Sequence, residues 1–292
     1  MPSSSFSYPS ADGTQIAAYR WDTDGEPRAA VQLTHGMGEH ARRYGHVARA
    51  LNRAGFVVYA QDHRGHGGSA DPSAPGDLGE GGWPGLVADI GLLSGYIHDT
   101  HPGLPLVLLG HSMGSFAVQQ YLLDHSADVA AVVLTGTAAI DLLEPALDLD
   151  QPLDLSLFNL PFQPARTDFD WLSRDEQVVD AYVADEWCGF GIDAESGKAM
   201  FAGARRLADP ASVAAMRVGL PLYIAVGESD PVNGGLTLLT PLADRYRAVG
   251  LDVTVRTYPD ARHEILNETN KDEVLAELTA WLDRVLAAGE PG

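Results

Sequence analysis

Residues 106–122 read Leu-Val-Leu-Leu-Gly-His-Ser-Met-Gly-Ser-Phe-Ala-Val-Gln-Gln-Tyr-Leu. The run up to Leu109 is apolar and short, as a buried strand should be. Gly110-His111-Ser112-Met113-Gly114 follows, and then Phe116, Val118, Tyr121 and Leu122 supply the apolar positions of a helix. Strand, tight turn and helix are the context that G-x-S-x-G requires in order to present a nucleophile. Side chains at positions 110 and 114 would clash in so sharp a turn. The turn leaves the Ser112 hydroxyl at its tip, over the positive end of a helix. A serine that merely caps a helix would explain neither glycine.

Outward from this turn the chain alternates between strand-like and helix-like segments. Ala29–Leu33, Phe56–Ala60, Pro105–Leu109, Val129–Leu134, Leu222–Val226 and Val253–Thr257 read as strands covered on both faces. Phe6–Tyr8 and Gln15–Trp21, joined through Asp12-Gly13, read as an edge hairpin. Val274, Leu275, Leu278, Trp281, Leu282 and Val285 share one helical face, with Asn270 as the expected N-cap. Alternation of this kind predicts an α/β fold with a mostly parallel central sheet flanked by helices. The pattern breaks between Ala138 and Pro210, where Pro145, Pro152, Pro161 and Pro164 mix with Leu, Phe and Trp. This reads as a mainly helical insertion, residues 138–210, between core segments 1–137 and 211–292. It reads either as a purely structural element or as a lid over a site, since long insertions in compact domains usually serve function.

A serine hydroxyl needs an imidazole to take its proton and a carboxylate to orient that imidazole. With the G-x-S-x-G turn these follow in the order Ser, Asp or Glu, His. Besides His125, which falls in the helix after the turn, His263 is the only histidine beyond Ser112. It lies in the loop after the strand at Val253–Thr257. Asp230 lies just past the strand at Leu222–Val226, and Pro231 stiffens the chain behind it. Glu228 and Asp260 are the rival carboxylates. Reacting groups gather at the carboxyl ends of strands in such sheets. Thr34 ends another strand, and His35-Gly36-Met37-Gly38-Glu39-His40 follows. The backbone N–H groups of Met37 and Met113 are the expected oxyanion-hole donors. His35 with His40, and Asp62-His63-Arg64-Gly65-His66, lack an ordinary zinc spacing. They read instead as hydrogen-bonded loop histidines, and the acylation chemistry needs no metal.

Taken together, His35-Gly36-Met37-Gly38-Glu39-His40, Asp62-His63-Arg64-Gly65-His66-Gly67, Gly110-His111-Ser112-Met113-Gly114, Asp230 and His263-Glu264-Ile265-Leu266-Asn267-Glu268 resemble the monoacylglycerol lipase and lysophospholipase family of α/β-hydrolases. Asp170-Trp171-Leu172-Ser173-Arg174-Asp175 also resembles part of that family's cap. The resemblance implies an α/β-hydrolase fold with a helical cap over an apolar acyl channel, no cofactor, and hydrolysis of single-chain acyl esters. It carries the triad to Ser112, Asp230 and His263, and the oxyanion positions to Met37 and Met113. It further implies that Glu39 and Arg43 bind the glycerol end of the substrate. Ser115 departs from the family, many of whose members carry glycine there.

The chain has 292 residues, 45% of them hydrophobic, enough for a sizeable core. Its 40 acidic and 19 basic residues give a net charge of -21, which repels nucleic acid and anionic membrane faces. No apolar run is long enough for a membrane span. The polar start, Met1 to Ser10, lacks the pattern of a signal peptide, so a cytoplasmic location is expected. The lone Cys188 allows no intrachain disulfide. The expected partner is a small-molecule acyl ester, a single-chain lipid, with transient contact between the cap and a lipid surface. A lysophospholipase or a general carboxylesterase would share the triad. A lysophospholipase would want basic residues at the cap rim, in which this insert is poor. An aminopeptidase would want an acidic pair to hold the substrate amine. A non-catalytic ligand receptor would lack a triad member.

Overall fold

A computed structural model describes residues 1–288. The strands are β1 (Ser4–Pro9), β2 (Gln15–Trp21), β3 (Ala29–Thr34), β4 (Phe56–Gln61), β5 (Leu106–His111), β6 (Ala131–Thr135), β7 (Pro221–Gly227) and β8 (Asp252–Tyr258). They form an eight-stranded sheet in the order β1-β2-β4-β3-β5-β6-β7-β8. β1 and β2 form the antiparallel edge, and β2 joins β4 antiparallel. From β4 onward all neighbours are parallel. Each expected strand is present, with ends shifted by one or two residues.

Successive side chains of a strand point to opposite faces, and the core divides accordingly. Leu106 and Leu108 of β5, with Val132 and Leu134 of β6, face one apolar cluster. Val107 and Leu109, with Ala131 and Val133, face the other. The first cluster is covered by α2 (Gly82–Thr100), α3 (Met113–His125) and α7 (Leu239–Ala248). The second is covered by α1 (Gly45–Arg53) and α8 (Lys271–Ala287). On α8 the residues Val274, Leu275, Leu278, Trp281 and Leu282 are buried. Asn270 stands at the N-cap position, but its side chain accepts no N–H of the helix, and its amide donates to Glu273 at 3.1 Å instead.

Between β6 and β7 the chain forms 3-10 turns at Ile140–Leu142, Glu144–Ala146, Leu155–Phe162 and Asp170–Leu172. Three helices follow: α4 (Glu176–Ala184), α5 (Ala194–Ala208) and the short α6 (Pro210–Val213). The first half thus forms 3-10 turns where a mainly helical insertion is expected, and it carries Pro145, Pro152, Pro161 and Pro164, which disfavour a continuous α-helix. α5 packs back on α2 and α3. No helix among the described residues is long and apolar enough to cross a membrane.

The turn between β5 and α3 sets the sheet's centre. A Cβ on Gly114 would stand 2.4 Å from the carbonyl oxygens of both Thr34 and His35. One on Gly110 would stand 2.7 Å from the Ser115 Cα. No side-chain rotation relieves contact with backbone. Gly114→Ala is therefore expected to destabilise the fold by about 3 kcal/mol, read as a lowered urea midpoint at unchanged slope. A midpoint equal to wild type would show that the turn is not so tightly held.

Candidate active site

Ser112 occupies φ 50° and ψ −123°, a backbone region rarely adopted by residues other than glycine. Its position is fixed from both sides. The Ser112 N–H donates to Thr135 O at 3.0 Å, and its carbonyl accepts from the N–H groups of Ser115 and Phe116 at 2.8 and 3.1 Å. Ser115, the departure from the family pattern, is fully buried. Its hydroxyl donates to Ser112 O at 2.6 Å and accepts from the Thr137 hydroxyl at 2.9 Å, so the extra oxygen is absorbed by the turn.

Asp230 and His263 meet in the loops after β7 and β8. His263 Nδ1 lies 2.9 Å from Asp230 Oδ2, and both side chains are buried. Asp230 Oδ1 accepts the Val232 N–H at 2.9 Å, which fixes the carboxylate. A carboxylate at Nδ1 selects the tautomer with the proton there, leaving the Nε2 lone pair on the far side of the ring. His263 Nε2 is buried without a hydrogen-bond partner among the described residues. Burial works against the charged imidazole, but the Asp230 charge and hydrogen bond outweigh it and raise the His263 pKa above its ordinary value. The rival carboxylates lie elsewhere. Glu228 is exposed and accepts from Thr257 Oγ1, and Asp260 is exposed. His125 is exposed and pairs with Asp128 at 3.2 Å.

Met37, Ser112 and Met113 share the wall of one cavity of about 260 Å³. Leu143, Leu147, Leu153, Leu157 and Phe158 line it from the insert, with Phe116 and Val232 from the core. Trp171 also lines it and packs on His263, ring centroids 4.8 Å apart. His111 flanks the same imidazole at 4.9 Å. Burial, then the charge of His263, pushes His111 down to about 3, so it stays neutral beside His263.

Glu39 and Arg43 are not in that wall. Arg43 donates to Glu39 Oε2 at 2.5 Å and forks onto Glu264 at 2.7 and 2.9 Å. Glu39 Oε1 accepts the Gly36 N–H at 2.6 Å and the Tyr44 hydroxyl at 2.7 Å. All three charged side chains are nearly or fully buried. Burial raises the Glu39 carboxyl against the opposing pull of Arg43, while Arg43 holds Glu264 down. The network braces the loop from Gly36 to Glu39. Glu264 was not singled out from sequence, because its partner Arg43 is 221 residues away.

The loop histidines serve the backbone. His35 Nε2 accepts the His63 N–H at 2.9 Å, and His66 Nδ1 donates to Arg64 O at 3.0 Å. Burial pushes His63 down to about 3 and His66 to about 4. Among the described residues, two groups of side chains bring metal-binding atoms within 4.8 Å of one another: His40, Asp185 and Cys188, and Glu39, His111 and Glu264. In the second the carboxylates are taken up by Arg43, and in the first His40 Nε2 pairs with Asp185 at 2.9 Å.

A mostly parallel sheet with a serine on a strained strand-to-helix turn and a histidine–aspartate pair at later strand ends defines an α/β-hydrolase. Residues 25–270 match the family model described as serine aminopeptidase, S33. The chain is 35% identical over 287 residues to a monoacylglycerol lipase of Mycolicibacterium smegmatis, covering 96% of both chains. It is 29% identical to human monoglyceride lipase, over 96% of this chain and 90% of that one. The structure superposes on a thermostable carboxyl esterase from Bacillus coagulans in complex with glycerol, with TM-score 0.87 and 27% identity, covering 98% and 99%. The chain belongs to this family of α/β-hydrolases, on the side of its monoacylglycerol lipases, and is a serine hydrolase acting on carboxylic esters.

A base must be neutral to accept a proton, and the His263 pKa is raised. Ester hydrolysis is therefore expected to fall away on the acid side at a pH above the ordinary imidazole value of 6.5. Asp230→Asn should lower kcat by about 10⁴ and move that limb to lower pH. A limb that stays in place in Asp230→Asn would remove the carboxylate from this role.

Proposed function

We propose that this protein is a monoacylglycerol lipase that releases fatty acid and glycerol through an acyl-enzyme on Ser112. The observation that carries the proposal is the cavity. Its wall is built from Leu, Phe, Met and Trp side chains, with Ser112 and the two candidate oxyanion residues in the same wall. Such a wall suits an acyl chain whose ester carbon reaches the serine. Residues 138–210 act as the cap that supplies much of that wall.

In this reading His263 Nε2 takes the Ser112 proton as Oγ attacks the ester carbonyl. Asp230 stabilises the imidazolium. The N–H groups of Met37 and Met113 stabilise the oxyanion, each donor worth about 2.7–4 kcal/mol. His263 then protonates the departing glycerol oxygen. A water attacks the acyl-enzyme by the same route, and fatty acid leaves as Ser112 regains its proton. The buried network that joins Arg43 to Glu39 and Glu264 supports a bracing role for Glu39 and Arg43, where the resemblance implies a contact with the glycerol end.

An aminopeptidase would need free carboxylates for the substrate amine. Asp148 and Asp154 lie at the cavity mouth, but each caps its own turn, on the N–H of Asp150 and of Ser156. Leu142, Leu157 and Leu160 of the insert are 46%, 51% and 66% exposed. They suit transient contact with a lipid surface, and the proposal retains the cytoplasmic location expected from the sequence.

Fatty acid release from 1-monoacylglycerols tests the proposal. Ser112→Ala should abolish it. In the wild type, kcat/KM should climb by up to about fourfold per methylene until the cavity is filled, since a buried methylene is worth about 0.8 kcal/mol. Unchanged release by Ser112→Ala overturns the nucleophile. A series flat in chain length overturns the acyl cavity.

A further inference from the structure

Residues 170–191 of the insert touch both loops that carry the reacting groups. On one side lies the loop of His263. Trp171 O accepts the His263 N–H at 3.3 Å, and Leu172 O accepts the Glu264 N–H at 2.7 Å. Glu268, fully buried, ties the two segments together. Its Oε1 accepts the N–H of Arg262 at 2.9 Å and of Arg174 at 3.1 Å, and its Oε2 accepts Arg174 Nε at 3.0 Å.

On the other side lies the loop of Met37. The Tyr182 hydroxyl donates to the Gly38 carbonyl at 2.7 Å, and the Gly189 N–H donates to the same oxygen at 3.0 Å. His40 Nε2 pairs with Asp185 at 2.9 Å. The approach is close: a Cβ on Gly38, which has φ +62°, would stand 2.3 Å from Phe190 O. Met37 is thus held from both flanks. Glu39 holds the Gly36 N–H at 2.6 Å, and the insert holds the Gly38 carbonyl.

These bonds fall on the main chain of the base and next to that of an oxyanion donor. An oxyanion donor works only within about 2.7–3.1 Å of the developing charge. A displacement of about 1 Å can cost about 10² in rate. We propose that residues 170–191 are a positioning clamp that stays seated during turnover, with Tyr182 and Glu268 as its positioning residues. The proposal rests on the reading of Ser112 as an esterase nucleophile. It divides the insert in two: the later part sets catalytic geometry, and the earlier part, with Leu143, Leu147 and Leu157, walls the cavity.

Tyr182→Phe removes one oxygen and keeps the ring. The substrate is p-nitrophenyl acetate, too short to draw on the acyl cavity. The expected result is a fall in kcat/KM of about tenfold or more. Affinity for a trifluoromethyl ketone, whose hemiketal oxyanion needs the oxyanion hole, should fall in parallel. Inhibition by a long-chain fatty acid, which needs only the cavity, should stay within twofold of wild type. Glu268→Gln keeps an acceptor oxygen but loses the charge, and should lower kcat at unchanged KM. It stands as the deciding variant if Tyr182→Phe does not fold. The clamp is overturned if the folded variant keeps both kcat/KM and ketone affinity within twofold. It is equally overturned if fatty-acid binding falls as much as ketone binding, the mark of a general structural loss. Failure of the underlying reading shows separately, as p-nitrophenyl acetate turnover that survives Ser112→Ala.

Discussion

Ser112 is held in a backbone conformation that costs a non-glycine residue about 1–3 kcal/mol. Such strain persists only where the surroundings over-determine it. Here Gly114 lies against the carbonyls of Thr34 and His35, and Gly110 against Ser115. Thr135, Ser115 and Phe116 hold the Ser112 backbone. The same contacts set the distance between β5, β3 and β6, the strands on either side of the serine turn. The strained turn is both the centre of the sheet and the origin of the site.

Electrostatics are handled by burial in opposite senses around that turn. His35, His63, His66 and His111 are buried, and burial pushes each down, so they serve as neutral hydrogen-bonding groups. His263, equally buried, is raised because Asp230 is 2.9 Å away. Two adjacent imidazoles are thereby driven apart in basicity, which is the condition for one of them to act alone as base. Arg43, shared between Glu39 and Glu264, puts charge close to the site without opening it to solvent.

The strands were legible because each is a short apolar run bounded by turn residues, and Ser112, Asp230 and His263 because each stands just past such a run. The candidate oxyanion loop stood out from Gly36 and Gly38 after the strand at Thr34. The insert was harder. Its first half forms 3-10 turns where a mainly helical insertion was expected. Tyr182 sits in an ordinary amphipathic helix, and nothing local shows that its hydroxyl reaches Gly38, a residue 144 positions earlier. Glu39 and Arg43 were read as polar lining. Their burial depends on Glu264, which no spacing rule connects to them. Local period and turn chemistry are written in the sequence, whereas long-range pairing of buried charges is not.

The central claim is that Ser112 is the one hydroxyl activated in this chain, and that His263 and Asp230 activate it. Mass spectrometry of the protein after reaction with a fluorophosphonate tests this most directly. The account predicts a single adduct, on Ser112, absent in Ser112→Ala and formed far more slowly in His263→Ala. An adduct on another residue, or labelling of Ser112 at an unchanged rate without His263, would contradict it.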